Sequence, residues 1–467
     1  MVVRGYAITC LINPLSMSRN WNWKVALTLL LLGSSHLGAL AQTAAAPPAA
    51  KVAPAGSLSP AGVARLDQLL RDYTTTSTGP GNIAKVLPDG NVMDRPDTRV
   101  PGAIALVMQD GKVLYRKAFG VDDVGAQTPL RPDAIVRIAS QTKAVTSVAL
   151  MLLYDEGKFR LDDPISRYLP AFRDPKVLAS FNAKDSTYTT VPAKREITIR
   201  QLLTHTSGIS YPVIGTQAAR AIYAKAGVPS GIGTPQGSLA KSMDELGALP
   251  LLHEPGAQFT YGLSVDVLGR LIEVLSGQSL DQFLSRRLFG PLGMKDTYFY
   301  LPAAKRDRLA LLYTENKATK TDIMLPQGGM RPDYPKAAGT YFSGGAGLSS
   351  TIDDYAAFLQ MLLNQGRHRG RQLLRPATVA LMTQNQIGEL SLGNQKFGLG
   401  FSLTTAAGAK NPGLSEGSFE WGGIFGTTYW VDPKARIVAL IYTQKYPSTQ
   451  SRDLADKFKT AVYQAIK

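Results

Sequence analysis

The sequence predicts an α/β fold of the α+β type, in which one antiparallel sheet is built from both ends of the chain and flanked by helices. Strand-like apolar segments occur early, at residues 103–108 and 113–115, and late, at 397–403, 427–431 and 437–442. Between them, apolar residues recur at helical spacing. Because every element must bury an apolar face, one sheet with a mainly helical region inserted in it is the most economical arrangement.

The elements follow in order along the chain. The two early strands are joined by a tight turn at Asp110-Gly111. A long apolar helix is predicted to begin at Ser140, and Gly277 marks the end of another. The helix that ends at Gly277 covers residues 266–275, and the other predicted helices cover 61–73, 197–203, 280–288, 352–363 and 451–466.

The N-terminus predicts an exported protein. Arg19 and Lys24 precede an apolar run at 25–32, and Ala39-Leu40-Ala41 offers a small-residue cleavage site, so residues 1–41 are interpreted as a signal peptide. The run is too short to span a membrane comfortably. We therefore expect a periplasmic or secreted chain with no integral membrane segment after signal cleavage.

The composition and residue patterns of the remaining chain divide it into a tether and two domains. Residues 42–59 are rich in Ala and Pro and are typical of a tether. The sheet domain is predicted from 60–135 and 340–467, and the mainly helical domain from 136–339. Residues 211–242, rich in Gly, Ala and Pro, are predicted to form an insertion or lid.

Composition excludes several kinds of site. Cys10 is the only cysteine and lies in the signal region, so the mature chain has no disulfide, Cys nucleophile or Cys-based metal site. The histidines of the mature chain, His205, His253 and His368, form no zinc-binding pair. There is no G-x-x-x-x-G-K-[ST] phosphate-binding loop. We expect no metal or organic cofactor.

The charge of the chain is strongly basic, at +16 for the whole sequence. Removing the three cations of the signal region leaves about +13 on the mature chain. Nucleic acid or an acidic membrane surface could explain such a balance. No dense Lys/Arg run is present, which favours a basic exported surface and no nucleic-acid partner.

Ser140 and Lys143 are the candidate chemical pair. At i and i+3 their side chains share one face of the first helical turn. A serine hydroxyl needs assistance to be a nucleophile, and a desolvated lysine can act as its base. The free N–H groups of a helix start could stabilise an oxyanion. Ser238 and Lys241 fit the same spacing, and helix capping is the alternative role for Ser140.

A family resemblance distinguishes the two pairs. Residues 137–143, followed by an apolar helix and Leu-Asp-Asp-Pro-Ile at 161–165, resemble the serine β-lactamase and penicillin-binding-protein superfamily. The match is closest to its class C-like branch, which includes the family VIII carboxylesterases. Residues 202–208, 291–294 and 344–351 look like further landmarks, so the resemblance extends over nearly all of the mature chain.

The resemblance implies roles for two more segments. Tyr261 matches the tyrosine of a Tyr-x-Asn motif, while Leu263 replaces the asparagine that contacts amide substrates. Trp421-Gly422-Gly423 stands where a Lys-Thr-Gly is usual, so the carboxylate-binding lysine is replaced by an apolar wall, as in family VIII esterases. Leu263 and Trp421-Gly422-Gly423 would therefore face substrate. The N–H groups of Ser140 and Ile424 would form the oxyanion hole.

Without the resemblance, Tyr261 and Trp421 would be interpreted as packing residues. With it, we expect an exported serine hydrolase that cleaves carboxylic esters, with short acyl chains, through an acyl-enzyme on Ser140. Lys143 and Tyr261 would share the proton transfers. The alternatives are a β-lactamase or D-Ala-D-Ala carboxypeptidase, a transacylase, and a penicillin-binding sensor without turnover. The expected partner is a small-molecule ester, and the oligomeric state is left open.

Overall fold

The strands and helices of the computed structural model are described for residues 56–74, 100–316, 321–324, 331–410, 413–448 and 450–466. The strands are β1 Gly102–Gln109, β2 Lys112–Asp123, β3 Thr128–Pro129, β4 Val136–Arg137, β5 Lys176–Phe181, β6 Tyr188–Pro192, β7 Tyr313–Asn316, β8 Thr321–Met324, β9 Ser349–Ser350, β10 Arg367–His368, β11 Arg371–Gln372, β12 Gln395–Phe397, β13 Ser402–Thr404, β14 Phe419–Gly423, β15 Thr427–Asp432 and β16 Ile437–Tyr442. The α-helices are α1 Pro60–Thr74, α2 Thr142–Asp155, α3 Ile199–Leu203, α4 Gln217–Lys225, α5 Leu239–Gly247, α6 Ser264–Ser276, α7 Leu280–Leu284, α8 Gly290–Leu292, α9 Ile352–Leu363, α10 Pro376–Met382 and α11 Ser451–Ala465.

One eight-stranded antiparallel sheet joins the two ends of the chain, in the order β12-β13-β14-β15-β16-β1-β2-β3. The join is made by β1 and β16, which pair from Ile104 with Tyr442 to Gln109 with Ile437. The predicted fold class is therefore confirmed. The long antiparallel pairing also places β14, which carries Trp421, in the same sheet as the N-terminal strands.

Both faces of the sheet are covered, which explains why β16 is apolar throughout. Val438, Leu440 and Tyr442 belong to the large core on the side of the helical region. The alternate residues of β16 pack into a second core with α1 and α11. A strand buried on both faces needs no polar alternation.

The outer helices α1 and α11 are packed closely enough to exclude a side chain. A Cβ on Gly62 would overlap Ala465 of α11. Just before α1, Leu58 forms a β-bridge with Ile466, so the end of the predicted tether lies against the C-terminus. The predicted signal peptide and the rest of the tether lie outside the described residues.

Helix α2 is the centre of the helical region. Every residue from Thr142 to Leu153 is buried. A helix without a polar face requires packing partners all round, and α6 is one of them. Within the described residues, no helix is both long and apolar enough to cross a bilayer.

The structure refines several predicted elements. The predicted strand 397–403 is two short strands, β12 and β13, because Gly400 adopts a positive φ of 93° between them. The predicted lid contains a helix, α4, over Gln217–Lys225. The described residues fall within one compact unit, and the division into a sheet domain and a helical domain stays a prediction.

A valine pair tests the covered sheet. Val438 is fully buried, whereas Val113 on β2 is 48% exposed. We expect Val438→Ala to lower the free energy of unfolding by about 2 kcal/mol, because it removes buried methyl groups and leaves a cavity. Val113→Ala is the matched control and should change it by less than about 0.5 kcal/mol. Urea denaturation measures both, and equal losses would contradict the two-sided burial.

Candidate active site

Ser140 lies in a short 3-10 turn, Ala139–Gln141, immediately before α2. The α-helix thus begins at Thr142, two residues later than predicted. Ala139 has a positive φ of 43° although it is not glycine, a backbone conformation that tertiary packing must hold in place. No side-chain hydrogen bond caps α2. Ser140 is half-buried and lines a cleft, which argues against the capping role.

The second Ser-x-x-Lys pair has a purely local role. Ser238 is the N-cap of α5, and its Oγ accepts a hydrogen bond from the N–H of Lys241 at 3.3 Å. The Lys241 side chain is 78% exposed and lies 3.8 Å from Glu245. An exposed lysine is not desolvated, so this pair lacks what serine activation requires.

Lys143 is buried beneath the cleft, with 2% of its surface exposed. Its Nζ donates hydrogen bonds to Tyr211 Oη and to the Gly345 carbonyl oxygen, both at 2.9 Å. The same Nζ lies 4.6 Å from the centre of the Tyr261 ring. The structure therefore brings Lys143 and Tyr261 together, as the sequence predicts.

The electrostatics around Lys143 favour its charged form. Burial lowers the pKa of Lys143, but Tyr211, Tyr261 and Asp266 together raise it more, and the net pKa is raised. His205 packs on Tyr261 with ring centres 4.8 Å apart. Burial, with a smaller contribution from Lys143, holds the pKa of His205 well below its usual value. His205 is therefore a neutral wall behind Tyr261.

An aromatic wall borders the cleft. The ring centres of Tyr261 and Trp421 are 5.6 Å apart, and the ring centre of Phe397 lies 5.4 Å from that of Trp421. The cleft has a volume of about 580 Å³. Among its lining residues are Ser140, Tyr211, Ile214, Ile232, Tyr261, Glu420, Trp421, Gly422, Gly423, Ile424, Arg452 and Lys459. The predicted nucleophile, tyrosine and Trp-Gly-Gly segment thus share one cleft.

Gly423 brings the end of β14 against the turn that carries Ser140. A Cβ on Gly423 would overlap the carbonyl oxygen of Ile138, so only glycine permits this approach. The next residue is Ile424. Within the described residues, neither its backbone N–H nor that of Ser140 has an acceptor. Two unpaired N–H groups on the wall of one cleft are what an oxyanion hole requires.

Leu263 does not face the substrate cleft, where the resemblance predicts it. It is fully buried at the N-cap of α6 and is not among the cleft-lining residues. Its N–H donates to the Ser210 carbonyl at 3.2 Å. An apolar side chain in this position turns into the core, so the structure does not bring Leu263 to the substrate side.

Two residues near the pair were not predicted as site residues. The sequence predicts Tyr211 only as the first residue of the lid and Asp266 only as the first residue of a helix. Tyr211 follows the landmark at 202–208, and Asp266 is an acid in an otherwise apolar helix turn. These patterns were the available signals, but each role depends on contacts across the fold. No group of three or more metal-ligating side chains occurs in the described residues.

Comparison with known proteins identifies the family. The sequence model of the Beta-lactamase family matches residues 66–464. Protein Rv1367c of Mycobacterium tuberculosis is 36% identical over 350 residues, 72% of this chain and 83% of the relative. Esterase EstB of Burkholderia gladioli is 30% identical over 367 residues, 75% of this chain and 88% of the esterase.

A solved structure agrees. EstCE1, described as a hydrolase with promiscuous acyltransferase activity, matches with a TM-score of 0.70 and 28% identity, over 87% of this chain and 100% of that one. With a family match over nearly all of the described residues, the chain belongs to the Beta-lactamase family and is a serine hydrolase.

Proposed function

We propose that the protein is an exported hydrolase that cleaves carboxylic esters with short acyl chains through an acyl-enzyme on Ser140. The observation that carries the proposal is the convergence of Ser140, two unpaired N–H groups and Tyr261 on one cleft. The signal-like residues 1–41 support export to the periplasm or medium. The name of the relative EstB supports an ester substrate.

The proposed reaction has two halves. Ser140 Oγ attacks the ester carbonyl, and the Ser140 proton passes to the Lys143 and Tyr261 pair, which then protonates the leaving alcohol. The N–H groups of Ser140 and Ile424 bind the oxyanion that forms on the carbonyl oxygen. Water then attacks the acyl-enzyme, and the same pair assists its deprotonation.

The wall of the cleft around Trp421 favours an uncharged substrate group. Trp421 presents an aromatic surface next to Tyr261, and Ile214 and Ile232 add apolar surface. The Lys459 ammonium at the cleft is already paired with Glu420 at 2.6 Å. A β-lactam carboxylate would therefore lack a fixed cation at position 421.

Acyl transfer to an alcohol is the second candidate. It uses the same nucleophile and differs only in whether an alcohol outcompetes water at the acyl-enzyme. The observation that favours it is the similarity to EstCE1, whose description includes promiscuous acyltransferase activity.

Two serine variants test the nucleophile. We expect Ser140→Ala to lower kcat for p-nitrophenyl acetate by about a thousandfold or more, because the acyl-enzyme has no other attachment point. Ser238→Ala is the matched control and should keep wild-type kcat, since Ser238 only caps α5. Initial rates on protein starting near Gln42 measure both. Loss of activity in Ser238→Ala alone would show that the nucleophile is Ser238 and would contradict the proposal.

Substrate class is tested on the wild-type enzyme. A charge-assisted hydrogen bond contributes about 1.5–3 kcal/mol, so the missing cation at Trp421 should disfavour β-lactams at least about tenfold. We expect kcat/KM for p-nitrophenyl butyrate to exceed that for a chromogenic cephalosporin by this margin. Faster turnover of the cephalosporin would contradict the esterase proposal and favour the β-lactamase.

Product analysis separates hydrolysis from transfer. With p-nitrophenyl butyrate and increasing 1-butanol, we expect butyric acid to remain the main product. Chromatography quantifies acid against butyl butyrate, and Ser140→Ala gives the background. Butyl butyrate as the main product at low butanol would instead identify a transacylase.

A further inference from the structure

A buried carboxylate lies next to the site and has no role in the reaction as proposed. Asp266, on the first turn of α6, is fully buried. Its Oδ1 accepts hydrogen bonds from Ser343 Oγ at 2.6 Å and from the Gly345 N–H at 3.3 Å. Because Ser343 Oγ itself accepts from the Ala346 N–H at 3.0 Å, its own proton is directed to Asp266.

These contacts fit the ionised form of Asp266. Both donors point at Oδ1, and donors stabilise a carboxylate. Oδ2 has no hydrogen-bond partner among the described residues. An ionised Oδ2 without a donor leaves buried charge that hydrogen bonds do not compensate. Burial raises the net pKa of Asp266 above its usual value, although the charge of Lys143 and the hydrogen bonds from Ser343 and Gly345 act in the opposite direction. A buried carboxylate therefore needs a cation nearby.

Gly345 connects Asp266 to that cation. Its carbonyl oxygen accepts from Lys143 Nζ, while its N–H donates to Asp266. A Cβ on Gly345 would overlap Asp266 Oδ2 and would lie 3.3 Å from Lys143 Nζ. The two charges thus face the same small space, and only glycine leaves it open.

Three other titratable side chains near the pair, Tyr211, Tyr341 and His205, are neutral. Burial raises the pKa of Tyr211 and of Tyr341, so both phenols stay protonated. His205 is uncharged because burial lowers its pKa. Tyr211, Tyr261 and Asp266 raise the proton affinity of Lys143, and Asp266 is the carboxylate among these three.

We infer that Asp266 is a positioning residue of this site, whose buried carboxylate, linked through Gly345, holds Lys143 as a permanent ammonium ion. An ammonium ion has no lone pair and cannot take the Ser140 proton. The Ser140 proton then passes to the phenolate oxygen of Tyr261, and Lys143 is the fixed cation beside that ring. This inference deepens the proposed function and rests on Ser140 as nucleophile.

The test is the pH profile of Ser140 labelling by an alkyl fluorophosphonate, with Asp266→Asn as the variant. Asparagine keeps an oxygen that accepts both hydrogen bonds but removes the charge. Losing a nearby negative charge lowers the proton affinity of every group around it. The pH at which labelling rises and the pH at which it falls should therefore both move down by about one unit or more. An unshifted profile with a lower plateau would mean that Asp266 is only structural.

Ser343→Ala is the control for this variant, because it removes a hydrogen bond to Asp266 but keeps the carboxylate. Both of these pH values should stay near those of the wild type. Labelling requires only a reactive Ser140 and no ester turnover. Wild-type protein that is labelled at Ser140 but hydrolyses no ester would therefore overturn the proposed function and leave the role of Asp266 testable.

A measurement on the wild-type protein covers the case in which Asp266→Asn does not fold. Carbon-13 labelling of the lysine ε-carbons, with Lys143→Arg to assign the signal, reports the charge of Lys143 by NMR. We expect it to keep the ammonium shift beyond about pH 10.4, where ordinary lysines titrate. Titration of Lys143 below the surface lysines would overturn the inference.

Discussion

The burial of one cation is the constraint on which the site depends. Lys143 sits on a helix without a polar face and is 2% exposed. An isolated charge in such a place is unfavourable by several kcal/mol. The protein meets this by bringing acceptors from distant segments to Nζ: the Tyr211 hydroxyl and the Gly345 carbonyl. These contacts link α2, the segment after α3 and the glycine-rich loop before β9 around the reactive serine.

The same convergence explains what the sequence could predict. Ser140, Tyr261 and Trp421 were recognised because each stands in a short motif whose spacing is local. The sheet was predictable because its central strands β1 and β16 are apolar runs near the two ends. Local patterns thus sufficed for the main elements of the fold, and together with the family resemblance they sufficed for Ser140, Tyr261 and Trp421.

What the sequence did not predict depends on tertiary contacts. The left-handed backbone at Ala139, which delays α2 by two residues, has no local signal. Leu263 occupies a motif position, yet its side chain is in the core. Asp266 and Gly345 acquire their roles only when α6 packs against the loop that holds Gly345. Periodicity reports which face of a helix is buried, and not which charge it meets there.

The central claim is that Ser140 carries a transient acyl group. Mass spectrometry of protein quenched during turnover of p-nitrophenyl butyrate tests it most directly. The account predicts a butyryl adduct on the peptide that contains Ser140, present during turnover and lost once substrate is exhausted. An adduct on another peptide, a permanent adduct, or turnover without any adduct under conditions where deacylation is slow would contradict it.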